Sequence, residues 1–389
     1  MTKTLTSKIV GFEVVKPGEP AKPQAEIKRQ PQDLDMTDQN RRIRLSKMPK
    51  TVTGSMRWPN RPLTPDGADG RMYYMKTQGY RFAVFITHTS LPSGEIHAFE
   101  VWCNGAEQPR GLGSIAKALS ADMRQMDKSW IFHKLNMLAK TNGEPCELEF
   151  PTKGIVNFPS IVSAFAALMR HRLEELGYQW DQGPTPVMEA LYFMKEPLTG
   201  PDGTMAWANK VINPKTGDDF VLGLMEMDLP EDTNIPYARI PYSVWFSGNY
   251  PKALDGLCKV LSKDMQVCDP TWIALKLDTL RDYKEANADF LARVPGESHQ
   301  TIYPSTEAYV AALVAHRYQM LGILDADWQP VKQLGLLDTP KKVVSLVTNA
   351  GENQPLMVGE ICDACGMPAV IKRDGCKECT NCGDRGECG

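Results

Sequence analysis

A chain of 389 residues, 42% hydrophobic and 8% aromatic, is long enough for two or three domains and a sizeable core. Its formal net charge of −3 gives no basic footprint for nucleic acid or for an acidic membrane surface. No stretch approaches the ~18 uninterrupted apolar residues of a membrane span, and MTKTLTSKIVGFEVVKPGEP has neither the apolar region nor the cleavage site of an export signal, so a cytoplasmic, non-membrane protein is expected.

Residues 1–16 contain one short strand-like run, KIVGFEVVK. Residues 17–50 are rich in Pro, Gln and charged residues and read as a flexible linker; its Arg41-Arg42-Ile43-Arg44 run suits a phosphate contact, but the solvated reading is preferred. Order is expected to resume near Gly54. Two strand-like runs flank Leu91-Pro92-Ser93-Gly94, a hairpin signal. Leu112, Ile115, Ala116, Leu119 and Met123 recur at helical spacing. The pattern runs on to Leu138 with a break near Asp127-Lys128-Ser129, which predicts two helices. A further helix is predicted from Pro159-Ser160 to Leu176, ending at Gly177, where a helix-terminating glycine belongs.

The same order then recurs. PRGLGSIAKALSADMRQMDKSWIFHKLNML, from Pro109, aligns without a gap to PKALDGLCKVLSKDMQVCDPTWIALKLDTL, from Pro251, with 13 of 30 positions identical. Val101-Trp102 matches Val244-Trp245, and His171-Arg172 matches His316-Arg317. The chain therefore carries an internal duplication of an α+β unit, 51–180 and 181–325. Asp122, Asp264, Trp130, Trp272, His171 and His316 recur in both copies and invite a functional reading. The structural reading is preferred for each: a cap or an ion pair to a nearby Lys, a core tryptophan, a favourable charge at a helix end. No nucleophile–base set, phosphate loop or dinucleotide fingerprint is present. Asp66-Gly-Ala-Asp69-Gly and Gly217-Asp218-Asp219 read as turns.

Residues 326–360 read as a tether, with Val343–Val347 a short strand, and 361–389 as a cysteine-rich tail. Six of the ten cysteines lie there: Cys362, Cys365, Cys376, Cys379, Cys382 and Cys388. A Cys-x-x-Cys pair puts two sulfurs on one tight turn, and two such pairs satisfy tetrahedral zinc. Cys362 and Cys365, followed by Gly366, form the first pair. The second is Cys379/Cys382, followed by Gly383, or Cys376/Cys379. Either choice gives a zinc-ribbon-like module and leaves two thiols over: Cys376 and Cys388, or Cys382 and Cys388. Lys377 and Arg385 lie close enough in sequence to favour a thiolate. The residues alone leave a redox dithiol and a purely structural module both open.

The pattern Cys-x-x-Cys-Gly…Asp-Gly-Cys-x-x-Cys-x-x-Cys-Gly…Cys-Gly closely resembles the C-terminal end of adenosylcobalamin-dependent (class II) ribonucleotide reductases. Arg61-Pro62-Leu63, the hairpin through Phe99-Glu100-Val101 and the helix with Lys117-Ala118-Leu119-Ser120 are similar to the domain before that tail, and KIVGFEVVK to a segment after the catalytic barrel. The resemblance covers nearly the whole chain but only the C-terminal part of the family's enzyme. The catalytic barrel, its radical cysteine and the cobalamin site are not in it. Where the family carries Ser-Cys-Pro-Asp or a related stretch, this chain reads Phe158-Pro159-Ser160 and Tyr303-Pro304-Ser305. The five residues between Cys382 and Cys388 are one more than the family pattern has. The resemblance implies the small subunit of a split reductase, with its domain duplicated. It also implies tail zinc, adenosylcobalamin in the partner catalytic chain, and electron relay through Cys388 with Cys376 or Cys382. A cellular thiol reductant would feed the relay, and no direct contact with nucleic acid is implied. The competing readings are a zinc-ribbon adaptor without redox role and a stand-alone enzyme in the repeats.

Overall fold

The computed structural model describes residues 52–179, 185–193, 203–229, 239–331, 360–361, 368–373, 376–379 and 385–388. It is a mixed α+β structure, with seven α-helices and several small antiparallel sheets among the described residues. The segment 1–50 and most of the expected tether lie outside the described residues. None of the helices described is long and apolar enough to cross a membrane. The chain divides into two compact units, Met1–Leu337 and Asp338–Gly389.

In the larger unit a single helical turn, Val52–Ser55, precedes β1 (Asp69–Lys76), β2 (Arg81–Ser90) and β3 (Ile96–Glu107), an antiparallel sheet in sequence order. The β2–β3 turn falls on the expected hairpin residues, closed by the Leu91 and Gly94 amides donating to Glu95 and Leu91 carbonyls. Phe82, Val84 and Ile86 alternate onto the buried face of β2. Each such side chain contributes about 1.5–3 kcal/mol. Helices α1 (Leu112–Met123) and α2 (Lys128–Leu138) follow, with the predicted break between them. Next come the hairpin β4 (Cys146–Phe150) and β5 (Gly154–Phe158), then α3 (Ile161–Glu175). Gly177 has φ 80°, the left-handed conformation that ends α3.

The second half follows the same order. A short α4 (Pro186–Glu189) leads into β6 (Ala206–Asn213), β7 (Asp218–Asp228) and β8 (Arg239–Asn249), again an antiparallel sheet. Then come α5 (Leu254–Met265), α6 (Pro270–Arg281), the hairpin β9 (Phe290–Ala292) and β10 (Thr301–Tyr303), and α7 (Thr306–Met320). Correspondence holds in detail. The Ser160 hydroxyl donates to Thr141 carbonyl and caps α3 at Ser163 N, and Ser305 does the same with Tyr283 and Ala308.

The halves share one hydrophobic core, in which Leu112, Ile115 and Leu119 of α1 cluster with Leu254, Leu257 and Leu261 of α5. A smaller cluster sets Trp130 edge-on to Trp272 at 6.2 Å, among Val52, Met56, Val187 and Leu191. The turns that lead into each repeat cross over. Val187 N donates to Asp127 of the first repeat, while Val52 and Thr53 amides face Asp269 of the second. After α7 the chain folds back, Val331 N bonding Ile323 carbonyl and Arg281 lying 3.8 Å over the Trp328 ring.

Among its described residues the smaller unit has a four-stranded antiparallel sheet of β11 (Glu360–Ile361), β12 (Pro368–Arg373), β13 (Cys376–Cys379) and β14 (Arg385–Cys388), in that order.

Candidate functional site

Of the six tail cysteines, Cys376 and Cys379 lie in β13 and Cys388 in β14, while Cys362, Cys365 and Cys382 fall outside the described residues. Register sets Cys376 opposite Cys388 and Cys379 opposite Val370. Directly opposed residues of an antiparallel pair have Cα atoms about 4.5–5.5 Å apart, inside the span a disulfide bridges. Cys376 and Cys379 share one extended strand. Positions i and i+3 of a strand have Cα atoms about 10 Å apart, unlike the tight turn on which two ligands of one zinc sit. A shift in register follows Cys376, between it and Glu378, and Glu378 stands opposite Arg385. Among the described residues no three His, Cys, Asp or Glu side chains form a metal-holding group.

The polar residues that recur in both repeats converge at the junction between them. Lys134 Nζ lies 2.9 Å from Asp122 Oδ2 and 2.5 Å from Asp264 Oδ1, and Lys276 Nζ lies 2.5 Å from Asp122 Oδ1. Lys276 also donates to Ala118 carbonyl at 3.0 Å. The indole N–H of Trp130 donates to Asp122 and that of Trp272 to Asp264, at 2.7 and 2.8 Å. All four charged side chains have no accessible surface. Burial alone would raise Asp122, but the ammonium groups of Lys134 and Lys276 outweigh it and hold the carboxyl below its ordinary value. At Asp264 burial wins and the carboxyl is pushed up. Burial lowers Lys276 to about 8, against the pull of Asp122. Two positive and two negative charges cancel, and no substrate reaches groups sealed this way. The arrangement joins the repeats and does no chemistry.

The other repeated residues are structural as well. Arg317 makes two bonds to the buried Glu226, at 2.6 and 2.8 Å, and Arg172 bonds Glu175. His171 lies edge-on to Phe150, and His316 tilts against Trp207. Gly67 and Gly217 occupy turns with positive φ, as read from the sequence, whereas Asp69 and Gly70, and Asp218 and Asp219, expected in the same turns, already belong to β1 and β7, where strand pairing extends their backbone.

One cluster was not singled out from the sequence. Arg110, just before α1, makes a two-pronged bond to Asp218 of β7 at 3.0 and 2.8 Å and reaches Glu285 at 3.3 Å. Asp218 also accepts from Thr216 and Thr306, both at 2.7 Å. Burial would raise Asp218, yet these donors hold it below its ordinary value. Near Glu285 is Glu307, almost wholly buried, its carboxyl raised to about 8 first by burial and then by Glu285. The available signal was difference and not identity. At the matching places the first repeat has Tyr80, Gly143 and Val162, and the second has Lys252 for Arg110.

No protein-family model, curated protein or solved structure matches the chain.

Proposed function

We propose that this chain is the accessory subunit of a split class II ribonucleotide reductase, and that its tail carries electrons to the catalytic chain. The observation that carries the reading is the surplus of two thiols over a four-cysteine zinc set. Strand register supports one division of the six. Cys376 stands opposite Cys388, and extended strand runs from Cys376 to Cys379, so these two do not share a ligand turn. Cys362, Cys365, Cys379 and Cys382 then remain as two Cys-x-x-Cys-Gly sequences, a soft thiolate set suited to zinc. When bound, zinc supplies a structural cross-link and no electrons.

Each ribonucleotide reduced leaves a disulfide in the catalytic chain. The Cys388 thiolate attacks one of its sulfurs, forming a mixed disulfide and releasing one catalytic thiolate, which takes a proton. The Cys376 thiolate then attacks the Cys388 sulfur. That releases the second catalytic thiol and leaves the tail as a Cys376–Cys388 disulfide. Two electrons and two protons have moved. A cellular dithiol reductant returns the tail to its reduced form. Adenosylcobalamin belongs to the catalytic chain, where the ribonucleotide chemistry takes place.

The test is deoxyribonucleotide formation by the catalytic chain of the same source, with adenosylcobalamin and a dithiol-protein reductant. Sustained turnover is expected only with this chain present. Cys388→Ser and Cys376→Ser should each stop turnover after the first cycle with zinc content unchanged, whereas Cys382→Ser should lose zinc. The reverse pattern for Cys376 and Cys382 would make Cys382/Cys388 the relay. No gain in turnover and no complex would leave a zinc-ribbon adaptor.

A further inference from the structure

The two repeats meet through equivalent surfaces, as two subunits do across an isologous contact. The buried Asp–Lys network is built from residues both copies carry: Asp122 and Lys134, Asp264 and Lys276. By itself it would serve a pairing of two first repeats, or of two second repeats, as well as the pairing observed. The contacts around it would not.

Gly113 of α1 faces the second repeat. A Cβ at this position would stand 2.4 Å from the Tyr283 hydroxyl oxygen. The second repeat carries Asp255 at the place of Gly113. Facing another second repeat, Asp255 would meet the Tyr283 ring and enter the neighbourhood of Glu285 and Glu307. On the other side of the junction, Gly256 of α5 faces the first repeat. A Cβ there would lie 2.7 Å from Ile115 Cδ1 and 2.8 Å from Val162 Cγ1. The first repeat carries Ser114 at the place of Gly256. Facing another first repeat, the Ser114 Cβ would meet that Ile115 and Val162. The ion pair is equally one-sided. Arg110 finds Asp218 and Glu285 only on the second repeat, because the first has Tyr80 and Gly143 at those places.

We infer that the duplicated repeats have become complementary and no longer interchangeable: the gaps at Gly113 and Gly256 and the Arg110 ion pair admit the opposite repeat and exclude a like one. Shared attraction comes from the common network, and selectivity comes from clashes and unpaired charge built against the wrong partner. The surface each repeat presents is thus an interaction surface with one fitting partner, the other repeat of this chain.

Two substitutions turn the junction locally into a like-with-like contact within the full-length chain. Gly113→Asp puts the second repeat's residue against Tyr283, and Gly256→Ser puts the first repeat's residue against Ile115 and Val162. Both should lower the urea midpoint. Tyr283→Thr with Glu307→Val, which give the facing side its first-repeat identity, should return at least half of the loss caused by Gly113→Asp. An unchanged midpoint for either substitution, or no recovery, overturns the inference. Where Gly113→Asp does not fold, Gly113→Ala decides by sign. Alanine in a helix ordinarily stabilises relative to glycine, so a midpoint that falls with Tyr283 present and rises once Tyr283 is Thr supports the inference. A rise in both backgrounds overturns it.

Discussion

Lys276 shows how little freedom a buried charge has. Its ammonium lies 2.5 Å from Asp122 with no accessible surface, and burial brings its pKa down to about 8. Replacing it by Met leaves Asp122 and Asp264 to share Lys134. Two carboxylates then face one ammonium in a sealed space, and breaking a buried pair in this way costs about 3–5 kcal/mol. Lys276→Met should therefore lower the unfolding free energy by about that amount in urea. The double variant Lys276→Met with Asp122→Asn should recover much of it, because charge balance returns and the Trp130 indole keeps an oxygen to donate to. A double variant no more stable than the single one would mean that the Lys276 contacts matter for shape and not for charge. The sequence placed all of these residues in the repeat and named an ion pair to a nearby Lys as one reading. It could not show that Lys134 pairs with Asp264, 130 positions away, because that distance in sequence is closed only by the packing of α1 on α5.

At the scale of elements, the Pro-Ser dipeptides Pro159-Ser160 and Pro304-Ser305 are helix starts. Ser305 has no accessible surface, accepts from Ala308 N at 3.1 Å, and donates to Tyr283 carbonyl at 2.8 Å. Removing its hydroxyl strips a cap from α7 and orphans a buried carbonyl. Loss of an N-cap costs about 0.5–2 kcal/mol, and an unpaired buried acceptor about 1–3 kcal/mol. Ser305→Ala should thus destabilise by about 2–3 kcal/mol in denaturant unfolding, and Ser160→Ala by a similar amount, since Ser160 bonds Thr141 carbonyl in the same way. A change below about 0.5 kcal/mol would show that water replaces the hydroxyl. These helices were legible from the sequence, as were the break between α1 and α2 and the β2–β3 turn, because caps, glycines and apolar spacing are local signals. The short hairpins β4–β5 and β9–β10 were not, since their alternation is brief and partly exposed. That Cys376 stands opposite Cys388 in the sheet was not legible. Register depends on how β13 turns into β14, and residue spacing alone does not fix it.

Over the whole molecule, what escaped a sequence reading is asymmetry. Aligning the repeats draws attention to what they share, whereas Arg110, Asp218, Glu285 and Glu307 sit where they differ. The same asymmetry governs how the body responds to acid. His97 has no counterpart histidine, the second repeat having Ile240 at that place. Its Nε2 bonds Met123 carbonyl at 3.1 Å, and burial first, then Arg57, lower its pKa to about 4. His133, stacked near Trp130 beside the ion network, is lowered to about 4 by burial and by Lys263 and Lys134. Both rings stay neutral in the folded chain down to about pH 4 but take up protons near pH 6.5 when unfolded. Their contribution is complete above pH 6.5 and is lost as pH falls through 4. Glu307 works in the opposite sense: raised to about 8 in the folded chain, it adds stability as pH falls from 8 towards the ordinary carboxylate range. Among these three groups, two histidines against one carboxyl leave a loss between pH 6.5 and 4. His97→Gln keeps a donor for Met123 carbonyl and removes one titrating group, so it should take up to about 1.4 kcal/mol per pH unit out of the slope in that window. Glu307→Gln should steepen the same slope. Urea midpoints measured at half-unit steps from pH 7.5 to 4.5 separate the two. A His97→Gln slope equal to that of the wild type would mean that the ring already carries its proton in the folded chain, accepted at Nδ1 without a partner among the side chains around it.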